Sequence, residues 1–277
     1  ARFDVASLLH REVARRMAER LDYVRLQPVR VVDLGCGTGA DLPLLARRYP
    51  AARIFGSDFS PAMLARARRP ASWLRRFLPH GLNREPSLVA ADARAIPLAA
   101  RSVDLVWSNQ VLHWLADPLP LFQEVQRVLR AEGLFMFSAL GPDTLKELRR
   151  ACAAADAAPH VHGFIDMHDL GDMLVASGFA EPVMDMETLT LTYDSFGGLL
   201  RDLRDTGATN VRADRRRGLT GRGFLRRAED AYETFRRDGK LPATFEIVYG
   251  HAWKGQPRTT ADGLPIIDLP PRRRPRA

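Results

Sequence analysis

Cysteine is almost absent from these 277 residues: Cys36 and Cys152 are the only two. Two thiols make neither a disulfide framework nor a cysteine-based zinc site, and no metal is expected. Each reads as a small buried residue in a reducing compartment, so the expected location is cytoplasmic. Long apolar runs are also missing; none approaches the roughly 20 residues of a membrane-spanning helix. The first residues lack a signal-peptide pattern, although a start at Ala1-Arg2 without Met leaves a trimmed leader open. No internal repeat is visible. Acidic residues are the scarcer charge, 33 against 41 Lys and Arg, a net of +8 with a pI near 10.1. That sign points to an acidic partner: nucleic acid, anionic lipid or an acidic protein. Arg66, Arg68, Arg69, Arg75 and Arg76 form one cluster, and Arg212, Arg215, Arg216, Arg217, Arg222, Arg226 and Arg227 another. A solvated helix face is the competing reading of both.

A hydrophobic content of 46% is enough for a real core, and the length suits one α/β domain with insertions. Leu8, Leu9, Val13, Met17 and Leu21 recur at helical spacing, which predicts an amphipathic helix over 6–24. The core, 29–140, then alternates. Strands are expected at 30–34, 52–57, 87–91, 103–108 and 133–139, and helices at 40–49, 61–69 and 119–130. Such alternation implies a parallel sheet covered on both faces. Breakers at Pro70, Pro79, Gly81 and Pro86 make 70–86 a loop-rich insertion. A helix over 168–177 ends at Gly178, a plausible C-cap. Period-two alternation over 183–193 and 243–253 suits a terminal antiparallel pair. Two segments remain, 141–167 and 194–241, read as lid insertions beside the carboxyl ends of the strands. The second carries helices near 195–206 and 223–238. The domain is expected to span 1–253, and 254–277, with five Pro and five Arg, reads as a flexible tail.

The chemistry concentrates in Asp33-Leu34-Gly35-Cys36-Gly37-Thr38-Gly39, which follows the apolar run Val29 to Val32. Strand, glycine loop and helix together bring backbone N–H groups and a helix start against a polar ligand. Glycines at alternate positions let the backbone approach it without Cβ atoms in the way. The spacing is G-x-G-x-G with an upstream acid, not the G-x-G-x-x-G of dinucleotide sites. A second strand, Ala52 to Ser57, ends in Asp58, placed to accept bonds from both hydroxyls of a ribose; a surface turn residue is the other reading. Ser60-Pro61 then starts a helix. A third strand, from Leu88, ends in Asp92. Phe59 beside Asp58, Ala93 beside Asp92, and Asn109 belong to the same candidate ligand site.

These residues resemble motif I and the following acids of the class I S-adenosylmethionine-dependent methyltransferases. The resemblance implies a Rossmann-like α/β fold with a seven-stranded, mostly parallel sheet and an antiparallel last strand. It implies S-adenosylmethionine as cofactor and Asp92 facing the adenine amino group. Phe3-Asp4, Leu9 to Ala14, Ser108 to Trp114, Ala139 to Arg149, Asp166 to Leu174 and Leu241 to Glu246 narrow it. Over nearly the whole chain, to about Trp253, they look like the malonyl-acyl-carrier-protein O-methyltransferases of biotin synthesis. That family converts the free malonyl carboxylate to a methyl ester, on acyl carrier protein or on malonyl-CoA. The carrier is small and acidic, which gives the basic surface a partner. The same signatures resemble a sister group, the mitochondrial complex I assembly factors that hydroxylate an arginine on a partner protein. A third reading is a nucleoside-binding module without chemistry. The Asp-Pro-Pro-Trp and Asn-Pro-Pro-Tyr signatures of amino-directed nucleic-acid methyltransferases are absent, which argues against a nucleic-acid substrate.

The reaction centre is expected where Val103 to Ser108 ends, at Asn109, Gln110, His113 and Trp114, with His113 and Trp114 opening the next helix. Asn109 and Gln110 are neutral positioning groups. His113 is either a base or a packed histidine. A carboxylate nucleophile is already ionised, so no base is required. Charge alone nominates Lys146, Arg149, His160, His162, Tyr193, Arg215, Arg216 and Arg217 as substrate residues.

Overall fold

The computed structural model describes residues 2–68, 86–210, 215, 218 and 221–256. The proposed loop-rich 70–86 falls almost wholly outside these residues. So do Arg69, Arg75, Arg76, Arg212, Arg216, Arg217 and the tail from 257 onward. Strands β1 (Arg30–Leu34), β2 (Arg53–Asp58), β3 (Ser87–Ala90), β4 (Val103–Asn109), β5 (Leu129–Leu140), β6 (Phe179–Tyr193) and β7 (Leu241–Lys254) form one sheet. Its order is β3-β2-β1-β4-β5-β7-β6. The pairs among β1 to β5 are parallel, and β7 lies antiparallel between β5 and β6. The carboxyl ends of β1–β6 therefore share one edge of the sheet. Both lid segments leave from that edge.

Strand alternation sorts the core into two layers. Val31, Leu105, Trp107, Leu134 and Met136 face α2 (Leu8–Arg20), α3 (Leu42–Arg48) and the lid helices α6 (Lys146–Ala155), α8 (Phe196–Asp205) and α9 (Arg222–Glu233). Val32, Val106, Phe135 and Phe137 face α5 (Leu119–Val128) and α7 (Met167–Ala176). The central strands are apolar on both faces because helices cover both. At the far edge α2 is clamped by charge. Arg16 pairs with Glu187, and Arg20 pairs with Asp185 at 2.5 Å and lies 3.7 Å over the Tyr249 ring.

Several boundaries differ from the sequence expectation. The helix expected over 6–24 breaks at Ser7 into α1 (Arg2–Ala6) and α2, then tightens into a 3-10 turn, Leu21–Tyr23. Ser7 Oγ donates to the Asp4 carbonyl at 3.1 Å, a local side-chain bond that competes with helix continuation. Strand β6 begins four residues early, at Phe179, because an irregularity between Ala180 and Val183, with Glu181 at φ +49°, absorbs Pro182. The same happens in β5, where Glu132 at φ +61° lets pairing reach back to Leu129. His113 and Trp114 lie in a 3-10 turn, Leu112–Trp114, separate from α5. Helix α9 stops at Glu233, where Glu233 and the Gly239 carbonyl hold Arg236.

Candidate active site

The glycine loop is shaped by close approach on one side and open space on the other. A Cβ on Gly35 would stand 2.2 Å from Val111 Cγ2, so only glycine lets the loop pass the segment after β4. Gly37 sits at φ +54°, and a Cβ there would meet nothing within 4 Å, since it faces a cleft of about 510 Å³. The Ser57 carbonyl accepts from the Gly35 and Cys36 N–H groups at 2.7 and 2.9 Å, which fastens the loop to β2. Asp58 is set by two further backbone donors, Gly37 N–H and Ser60 N–H, both at 2.8 Å. Ser60 caps α4 (Pro61–Ala67), with Pro at the first helical position.

Gly35, Gly37, Asp58, Phe59, Asp92, Ala93, Asn109 and Gln110 all line this cleft. Phe59 is 78% exposed at its rim. Asp92 is held by Arg94, which brings its carboxyl down to about 2. Cys36, Thr38, Gly39 and Asp33 stand behind the lining. The Cys36 thiol is buried and pushed up by that burial. Thr38 turns its hydroxyl away, donating to Asp4 Oδ1 at 2.6 Å. Asp33 is buried under the loop, and burial, with the nearby Asp41 and Asp58, pushes its carboxyl well up.

Three residues of the cleft and its floor were not legible beforehand. Phe3 and His10 reach it from α1 and α2. Asp41, just before α3, accepts from Trp107 Nε1–H at 3.0 Å and Asn109 Nδ2–H at 3.1 Å. None has a local spacing signature, since each depends on packing between distant segments.

The residues fit S-adenosylmethionine. Asp58, already aimed by backbone donors, retains lone pairs for two vicinal hydroxyls. Phe59 and Ala93 give an apolar face for a base. In the cleft wall and just behind it, His10 Nδ1, Ser57 Oγ and Asp33 Oδ2 are buried without a partner. This set contains both donors and acceptors, as an amino-acid tail with its ammonium and carboxylate requires.

A second cavity, about 530 Å³, adjoins the first. Trp114 and Leu115 line both. Its walls are mainly apolar, with Leu140, Leu148, Phe164 and Phe245 prominent, and His113, His160, His162, Thr144 and Asn210 supply the polar groups. His113 packs edge-on to Phe164 at 6.2 Å. Burial, then the neighbouring His10 and His162, lower it to about 3. His160 is bonded to Asp156 and stacked on Phe224.

Three nominated substrate residues line neither cavity. The Arg149 guanidinium donates to the carbonyls of Pro142, Thr144 and His162, tying the first lid segment together. Tyr193 donates to Asp202 at 2.7 Å and joins β6 to α8. Lys146 pairs with Asp143 on the surface. Arg215 is exposed, and Arg216 and Arg217 lie outside the described residues.

The methyltransferase domain family matches over residues 32–137, the span from β1 to β5. The malonyl-[acyl-carrier protein] O-methyltransferase of Gallionella capsiferriformans (strain ES-2) is 51% identical over 96% of this chain and 90% of its own. That of Laribacter hongkongensis (strain HLHK9) is 50% identical over 98% of this chain and 92% of its own. Among solved structures, the YcgJ protein from Bacillus subtilis shares the fold. Its TM-score is 0.59 at 17% identity, over 89% of this chain and all of that one. A glycine-loop cleft fitted to a methyl donor, a second cavity across Trp114, and half-identity over nearly the full length agree: the chain belongs to the malonyl-acyl-carrier-protein O-methyltransferase family.

Proposed function

We propose that the protein transfers a methyl group from S-adenosylmethionine to the free carboxylate of a malonyl thioester carried on acyl carrier protein. The observation that carries this reading is the pairing of the two cavities across Trp114 and Leu115. The nucleoside cleft takes the donor, and the apolar cavity takes the acyl group with its thioester arm. When bound, the cofactor supplies a methyl on a sulfonium, which carries its own leaving group.

The chain's residues bind and align. Asp58 receives the ribose hydroxyls, Asp92 the adenine amino group, and the Gly35–Gly37 backbone the donor's tail. Asp33 places a carboxyl near its cationic end. With the donor held there, a malonyl oxygen aligned with it would accept the methyl, and the sulfur would keep the bonding electron pair. The products are a methyl ester and a neutral thioether, and no proton moves. His113 therefore has no base role to fill, consistent with a ring packed on Phe164 that burial makes a poor proton acceptor. Trp114 and Leu115 stand at the junction of the two cavities, where the two reactants would meet. Positioning is the main catalytic resource of such a site. The +8 net charge suits an acidic carrier, and the buried free thiols suit the cytoplasm.

The test is incubation with labelled S-adenosylmethionine and malonyl-carrier protein, followed by mass analysis of the carrier. One added methyl, lost on mild ester hydrolysis, is the expected result. Folded protein that binds the cofactor and leaves the carrier unchanged would sink the reading, and a hydroxylated arginine on a partner would replace it.

A further inference from the structure

Gln110 combines two features that a fold does not keep without a use. It is a non-glycine residue in the left-handed region, at φ +55°. Its side chain is buried in the cleft wall, with Nε2 unpartnered. A left-handed glutamine is strained, and a buried orphan donor is costly. Both penalties fall on one residue, at the carboxyl end of β4, just before the turn that divides the two cavities.

The strain is held by a chain of buried hydrogen bonds. Gln110 N–H donates to Ser138 Oγ at 2.9 Å, and Ser138 Oγ–H donates to Asn109 Oδ1 at 2.8 Å. Asn109 Nδ2–H donates to Asp41 Oδ2 and to the His10 carbonyl, at 3.1 and 3.0 Å. Asp41 is fixed in turn by Trp107 Nε1–H. The chain joins α2, the start of α3, β4 and β5, so Gln110 is set relative to the whole cleft. Val111, pressed against Gly35, fixes it relative to the glycine loop.

We infer that Gln110 donates its carboxamide N–H to the acceptor's free carboxylate and aims one oxygen at the methyl, with Asp41, Asn109 and Ser138 as positioning residues. The inference rests on the function proposed above. A neutral donor is what this place demands. A lysine or arginine would repel the donor's sulfonium and draw electron density from the nucleophile. Among the described residues the one arginine lining the cleft, Arg94, is already paired with Asp92.

Gln110→Gly tests this without a folding confound, because glycine relieves the left-handed strain. Its melting temperature should equal or exceed that of the wild type. Its kcat/KM for a malonyl thioester should fall at least about tenfold, with cofactor affinity within about twofold. Ser138→Ala should lower kcat in the same sense. The double variant should be no worse than Gln110→Gly alone, since both act through one group. Unchanged kcat/KM in Gln110→Gly, a parallel loss of cofactor affinity, or additive losses would each overturn the inference. Wild-type enzyme that fails to methylate the malonyl thioester would instead overturn the proposed function beneath it.

Discussion

Asp58 accepts two backbone N–H bonds before any ligand arrives, so its oxygens are pre-aimed at the cleft. Asp58→Ala should weaken S-adenosylmethionine by about 1–3 kcal/mol, the range for charge-assisted bonds to a sugar. Binding of S-adenosylhomocysteine should fall in parallel, because the contact is remote from the methyl. Calorimetry showing both affinities unchanged would mean that the ribose lies elsewhere. His113 makes the opposite kind of prediction. Burial lowers it to about 3, and His10 to about 4, so both rings stay neutral at and above pH 6. The malonyl carboxylate is ionised across the same range, so the rate should be nearly flat from about pH 6 to 8. A histidine-like fall within that window, abolished in His113→Ala, would restore His113 as a base.

At the scale of elements, the sequence was most legible where chemistry and backbone coincide. The glycine loop, the strand-end acids and the Ser60-Pro61 helix start are local signals, and the structure places them as read. Strand ends were less legible, because left-handed Glu132 and Glu181 extend β5 and β6 past positions that break the alternation. Side-chain partners were the least legible. Arg149 and Tyr193 looked like ligands by type, yet Arg149 bonds within the first lid segment and Tyr193 ties β6 to α8, which no spacing could reveal. Two segments that carried the family resemblance turn out to hold each other. Leu145 N–H donates to the Thr244 carbonyl at 2.6 Å and Asp143 N–H to Glu246 Oε2 at 2.6 Å, at the floor of the second cavity. A similar tie joins α1 to the glycine loop through Thr38 and Asp4, and α1 brings Phe3 to the cleft. Thr38→Val keeps the shape and removes the bond. It should weaken cofactor binding by about 1–2 kcal/mol, as for one bond to a charged acceptor. Turnover at saturating cofactor should be preserved. If kcat collapses while affinity holds, α1 acts on the chemistry and not as a cover for the donor.

The charge of the whole molecule raises a question of partner and not of fold. An excess of +8 does little for the cleft, where Arg94 is paired with Asp92. It bears instead on the partner: Asn210 lines the second cavity, and Arg212, Arg215, Arg216 and Arg217 follow it in the sequence. Not every arginine nearby is available for docking: Arg227 donates to the Ala155 carbonyl at 2.9 Å and holds α9 against α6. Arg226 is exposed and makes a cleaner test. If this surface receives an acidic carrier, the attraction acts mainly on encounter and orientation. Reversing Arg215, Arg216 and Arg226 to Glu should then raise KM for malonyl-carrier protein steeply. It should leave KM for a short malonyl thioester almost unchanged, since that substrate has no protein surface to recognise. Added salt should imitate the reversal, because exposed charges are screened beyond about 8 Å at physiological ionic strength. Cofactor affinity should stay constant throughout. Equal effects on the two substrates would mean that these arginines support the lid itself, and that the carrier is recognised elsewhere.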